Sequence, residues 1–98
     1  MNKYTRYLVC YDIPDNKLRK RFSDSLKDIG LIPLQKSVFY GDLKAPEAKE
    51  LDRIAHRLLD TDTDKCFWFP CYLSIEEIKK CVGYENFNYE EPDGFKFL

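Results

Sequence analysis

Hydrophobic and polar positions alternate along this chain in blocks of changing period. Thr5–Asp12 (TRYLVCYD) is an unbroken apolar run closed by an acid, which predicts a central strand buried on both faces. Pro14-Asp15 then turns the chain, with Asp15 placed to cap a helix. Leu18, Phe22, Leu26 and Ile29 recur at spacings of four, four and three, one apolar helix face, and Gly30 is its natural stop. Leu31–Leu43 has strand character with two breakers. Pro33 argues against a central ladder position, and Gly41-Asp42 reads as a turn, so a bent strand or two short strands are expected, firmest at Ser37–Tyr40. A second helix is predicted from about Pro46 to Leu59, with Ala48, Leu51, Ala55 and Leu58 inward and Lys49, Arg53 and Arg57 on another face. Thr61–Asp64 is a polar loop. Lys65–Leu73 is an aromatic strand interrupted by Pro70. Ser74-Ile-Glu-Glu77 has the capping-box pattern of a short third helix over about Ile75–Val82, ended by Gly83.

The order β-α-β-β-α-β, with additions, is that of an α+β, ferredoxin-like domain: an antiparallel sheet with two helices on one face. The tail, Tyr84–Leu98, alternates aromatic and polar residues, turns at Pro92-Asp-Gly94 and ends Phe95-Lys-Phe97-Leu98. It is expected to extend this chain's sheet or a partner's by a strand. No repeat, linker or low-complexity segment interrupts residues 1–98, so a single domain is expected, with 84–98 as a C-terminal extension at a partner interface.

Composition adds three things. With 98 residues and 44% apolar content the chain can build one core, though a small one that an oligomeric interface would help. No signal peptide or membrane-length apolar run is visible, so a soluble, cytoplasmic protein is expected. Cys10, Cys66, Cys71 and Cys81 lack the tight spacing of zinc ligands, and only one histidine accompanies them, so reduced, structural thiols are expected. The net charge of −1 hides an asymmetry: residues 1–57 carry twelve Lys/Arg against eight Asp/Glu, and residues 58–98 carry four against nine. The basic half can bind phosphates locally.

The candidate chemistry lies in that half. Asp12 ends the first strand, where a rigid sheet can present a reactive group, and its carboxylate is a hard ligand suited to Mg²⁺ or Mn²⁺. The plainer alternative is that Asp12 only accepts hydrogen bonds from the start of the helix. One carboxylate rarely makes a metal site. Either a homodimer brings a second Asp12 across its two-fold axis, or Asp15 joins from the same chain. Lys17, Arg19, Lys20 and Arg21 crowd the first turns of the helix, where cations oppose the macrodipole, which points to phosphate binding over a merely solvated face. Gln35-Lys-Ser37-Val-Phe39-Tyr40 could orient a phosphate through Ser37 or stack a base. His56 has no fixed acid partner and reads as a surface residue. Phe67-Trp68-Phe69 reads as core or interface.

Taken in register, Tyr11-Asp12-Ile13, the Arg19-Lys-Arg21 helix, Gly30, Gln35-x-Ser37-Val38-Phe39 and Gly41-Asp42-Leu43 resemble the CRISPR-associated protein 2 family over residues 5–43. The resemblance implies a ferredoxin-like homodimer that acts in spacer acquisition. It implies DNA or RNA binding and metal-dependent endonuclease chemistry. It also implies a bridge between two dimers of the CRISPR integrase, CRISPR-associated protein 1. Position by position, Asp12 would be the catalytic, metal-binding acid, paired with its symmetry mate. Tyr11, Arg19, Arg21, Ser37 and Phe39 would support it, and Lys17 joins the nucleic-acid-binding set on charge. Pro33 departs from the pattern, since many relatives carry a basic residue there. A stand-alone ribonuclease toxin of the same fold, similar to the virulence-associated protein D family, is the alternative.

Overall fold

The computed structural model describes residues 3–92. The apolar run forms β1 (Thr5–Asp12), followed by α1 (Asn16–Asp28), β2 (Ile32–Gln35), β3 (Val38–Leu43), α2 (Ala45–Leu58), β4 (Lys65–Pro70) and α3 (Ile75–Lys79). The strands make one antiparallel sheet in the order β2-β3-β1-β4. This is the ferredoxin-like order, and its two internal strands are β1 and β3, the apolar run and the most fully buried strand, each paired on both sides. Pro33 sits on the edge strand β2, where a missing N–H costs no central ladder bond. Pro70 closes the opposite edge strand. No helix among the described residues is long and apolar enough to cross a membrane.

Alternation along β1 divides the sheet into two faces. Tyr7, Val9 and Tyr11 join Phe39 and Leu43 under the two helices, which contribute Phe22 and Leu26 from α1 and Leu51, Ile54 and Ala55 from α2. Asp15 caps α1 by accepting from Leu18 N at 2.8 Å, and Gly30 leaves it at φ +106°. Ile54 belongs to the buried stripe of α2, while Ala48 and Leu58 are half-buried. The other face carries Arg6, Leu8, Cys10 and Asp12. Its lower half is covered: Tyr40, Cys71 and Ile78 form a second small core with Leu8, Ile32, Leu34, Tyr84, Phe87 and Tyr89. Its upper half, beside Cys10, is open, so β1 is not buried on both faces along its whole length. All four cysteines are free thiols, and burial pushes that of Cys66 up to about 12.

Three expectations require correction. Gly41 and Asp42 do not turn the chain; they lie inside β3, in register with Tyr7 and Arg6. The glycine is there for space, because a Cβ at position 41 would stand 3.0 Å from Leu31 Cδ2 and 3.3 Å from Gly30 O. Asp42 is there for charge, since it pairs with Arg6. The second correction is to α3, which ends at Lys79 rather than Val82; the chain then turns through Gly83 at φ +88°. Third, residues 84–92 form no strand, but fold back as irregular chain onto their own sheet. The expected turn at Pro92-Asp-Gly94 and the segment 95–98 extend outside the described residues.

This fold-back is fastened by a buried ionic cluster. Arg6 donates from Nε to Asp42 Oδ1 at 3.0 Å, and from Nη2 to Asp42 Oδ2 and Glu91 Oε1, each at 3.1 Å. Tyr89 Oη donates to Asp42 Oδ2 at 2.8 Å and accepts from Asp42 N at 3.0 Å. The guanidinium also lies 5.4 Å from the Tyr40 ring centre and 5.9 Å from that of Tyr89. Burial works against the charge on Arg6, but the two carboxylates outweigh it and push its pKa up.

Candidate nucleic-acid and metal site

Asp12 stands at the C-terminal end of β1, exposed, on the open half of the second face. Its register partner is Lys65 of β4. One pair further in, Cys10 faces Phe67, and next Leu8 faces Phe69. The two phenylalanines are 60% and 40% exposed, and their rings stack with centres 6.0 Å apart. The acid and the uncovered aromatic pair therefore share one surface.

The helix that follows spreads its cations in different directions. Arg19 turns back on the chain: Nη1 donates to Ile13 O at 2.8 Å and reaches Pro14 O at 3.5 Å, while Nη2 donates to Asn16 Oδ1. Its guanidinium fastens the loop that leaves Asp12 and is not a free clamp for phosphate. Lys20 pairs with Asp24 at 2.8 Å. Lys17 and Arg21 point into solvent, one turn apart, with no partner among the described residues. If Arg19 holds the loop, Arg19→Ala should lower stability by about 1–2 kcal/mol in urea unfolding. Lys17→Ala should change it by less than about 0.5 kcal/mol.

The two aromatic candidates are internal. Tyr11 is 7% exposed and Phe39 2%, with ring centres 6.1 Å apart, and Tyr11 also meets Phe22 edge-on at 5.2 Å. Phe39 cannot stack a base, because the alternation of β3 sends it under the helices. Tyr11 reaches the surface only at an edge, and burial raises its pKa. Ser37 occupies the β2–β3 turn, where its carbonyl accepts from Tyr11 N at 3.1 Å. The structure thus gathers Tyr11, Arg19 and Phe39 around one end of α1, but leaves Lys17, Arg21 and Asp12 as separate exposed groups.

To a divalent cation, one chain presents Asp12 as a single exposed carboxylate. Asp12 has no neighbouring acid set: among the described residues no group of three or more His, Cys, Asp or Glu could hold a metal. Asp15 has one carboxylate oxygen committed to capping α1. With one carboxylate per chain, the remaining positions of a Mg²⁺ or Mn²⁺ would fall to waters, substrate phosphates or a second Asp12.

Against this geometry, the family model described as CRISPR associated protein Cas2 matches residues 5–77. The chain belongs to the Cas2 family. Among Cas2 relatives, the CRISPR-associated endoribonuclease Cas2 of Korarchaeum cryptofilum is 37% identical over 65 residues, covering 66% of this chain and 70% of that protein. The CRISPR-associated endoribonuclease Cas2 1 of Francisella tularensis subsp. novicida is 32% identical over 89 residues, covering 91% of each. Among solved structures, a hypothetical protein from Thermus thermophilus aligns with a TM-score of 0.65 at 37% identity, covering 69% of this chain and 82% of that one. A crystal structure of cas2 aligns at 0.57 with 28% identity, covering 68% and 76%.

Two features of this Cas2 chain escaped the sequence reading. The Arg6–Asp42 pair was signalled only by a cation placed inside an apolar strand. The second feature is a groove beside α1, whose lining includes Lys27 and Lys36. Lys27 falls one and two turns beyond Ser23 and Arg19 on the same helical face, a spacing visible in the sequence once that face is known to be open.

Proposed function

We propose that this Cas2 chain acts in spacer acquisition as a homodimer that binds nucleic acid and bridges two dimers of the CRISPR integrase. The observation that carries the reading is the shared surface of Asp12, Phe67 and Phe69. An exposed stacked aromatic pair beside Leu8 and Cys10 is a poor surface for water and a good one for a second copy. Two copies meeting through it would bring a second Asp12 to the same interface, which is what a divalent cation lacks in one chain. The scaffold role is preferred because each chain supplies a single acid. A second reading, Mg²⁺-dependent cleavage of RNA by the paired Asp12 residues, is favoured by the names of the relatives, which are endoribonucleases. No cleavage step is assigned to one chain alone.

Phe67→Asp tests the interface. The exposed side chain makes the variant compatible with folding, while a charge placed against its own symmetry mate should weaken dimerisation at least 100-fold. Sedimentation should then find a monomer at micromolar concentration, and acquisition should fail. A variant that remains dimeric would remove this face as the interface.

A further inference from the structure

One pair of opposite charges lies on the open face of the sheet. Asp12, at the end of β1, and Lys65, at the start of β4, stand directly across from each other in the β1–β4 register. Opposed residues of an antiparallel pair point to the same face with Cβ atoms about 5 Å apart, so the lysine stem can bring its ammonium to the carboxylate without moving the backbone. Both side chains are exposed, and neither has an ion-pair or hydrogen-bond partner among the described residues. An exposed pair of this kind is worth little in water, so nothing holds the two side chains together in a single chain.

The other cations at this end of the sheet are committed elsewhere. Arg19 is turned onto Ile13 O and Asn16 Oδ1. Lys17 and Arg21 stand on α1, which packs on the opposite face, and Lys36 lines the groove on that helix side. Lys65 shares its face with Phe67 and Phe69, two and four residues on. A two-fold axis that packs this patch on itself therefore brings in two Lys65 ammonium groups along with two Asp12 carboxylates. The acids alone would repel one another as water leaves the interface, whereas with the lysines the four charges sum to zero. A divalent cation would supply the same compensation, so it competes with Lys65 for the same carboxylates.

We propose that Lys65 is the counter-ion of Asp12 in the dimer, each lysine serving the acid opposite it in its own sheet. The two copies then assemble without a divalent cation, and a cation reaches the acids only by displacing the ammonium groups. The assignment rests on the dimer reading above and adds a residue to it. The two partners are unequal. A long lysine left alone can swing its ammonium out to water, but a short aspartate at the interface cannot. Loss of Lys65 is therefore felt in assembly, and loss of Asp12 is not.

The test measures the dimer dissociation constant by sedimentation, in EDTA and again in excess Mg²⁺, with circular dichroism to check that each variant folds. In EDTA, Lys65→Gln should weaken dimerisation at least about 10-fold, because each dimer is left with two uncompensated carboxylates. Lys65→Arg, which keeps the charge, and Asp12→Asn should each stay within about 3-fold of wild type. The double variant Asp12→Asn/Lys65→Gln should also return to within about 3-fold, the non-additivity expected of an interacting pair. Lys79→Gln, which removes the same charge from an exposed position at the end of α3, is the control and should change affinity less than about 3-fold. Mg²⁺ should restore the Lys65→Gln dimer and leave wild type within about 3-fold, since only the variant has vacant carboxylates. Unchanged affinity in Lys65→Gln, no recovery in the double variant, or an equal effect of Mg²⁺ on wild type would overturn the assignment. A monomeric wild type, or a dimer that Phe67→Asp leaves intact, would remove the dimer face itself, a result distinct from failure of Lys65.

Discussion

Asp42→Ala should destabilise this Cas2 chain by about 3–5 kcal/mol, the usual result of removing one member of a buried ion pair. Arg6 and Asp42 keep only 7% and 0% of their side-chain surface exposed. Without Asp42, the guanidinium stays buried, and the carboxylate left to it among the described residues, Glu91, is one-third exposed and a weaker partner. Tyr89 loses its acceptor at the same time. Domains of this size have about 5–15 kcal/mol in hand, so the loss is a large share of the total. At roughly 4–8 °C per kcal/mol, Tm should fall by more than about 10 °C. A double replacement, Arg6→Met with Asp42→Leu, should recover most of the loss, because burying two apolar groups avoids the stranded charge. Thermal unfolding of the three variants measures both effects. A loss below about 1 kcal/mol for Asp42→Ala would mean that Arg6 regains water by releasing residues 84–92, and hydrogen exchange at Tyr89 would then rise.

Asp12→Asn should have the opposite profile, with no effect on folding and a large one on cleavage. The side chain is exposed and the described residues give it no partner, so stability should stay within about 0.5 kcal/mol. If paired Asp12 residues hold the cation, removing both charges should lower RNA cleavage by more than about 100-fold, beyond what changes outside a metal's direct ligands produce. Nucleic-acid affinity should hold or tighten, since an acid near phosphate is lost. Acquisition should continue undiminished if the bridge is the working role. Cleavage and acquisition measured side by side separate the readings. Undiminished cleavage by the variant would end the nuclease reading, and loss of acquisition together with cleavage would end the scaffold reading.

The groove and the cluster were legible in the sequence to very different degrees. The cations of α1 were visible as a run, but a run does not say where each side chain points. Arg19 read as a phosphate ligand with Lys17, Lys20 and Arg21, and its guanidinium is engaged by Ile13 O and Asn16 Oδ1. Lys27 stood outside the run and lines the groove. Phe39 looked available for stacking and is internal, because the phase of β3 relative to the helices cannot be read from β3 alone. Gly41-Asp42 had the composition of a turn, and only the crossing of Gly30–Leu31 over the strand and the charge of Arg6 across from it explain why both lie inside β3.

What the sequence determined by itself is the order and type of the elements. The Leu18–Ile29 periodicity, the Asp15 and Ser74 caps, the Gly30 stop and the apolar run of β1 act over a few residues, so they are complete in the local sequence. That order was enough for the ferredoxin-like sheet and for Asp12 at a strand end. The tertiary structure alone decided which groups meet. Arg6 finds Asp42 thirty-six positions away, Tyr89 reaches back forty-seven, and Asp12 is left beside Phe67 and Phe69 on an uncovered face. Such meetings depend on strand register and on which sheet face each alternation selects, and a shift of one residue would reverse every one of them.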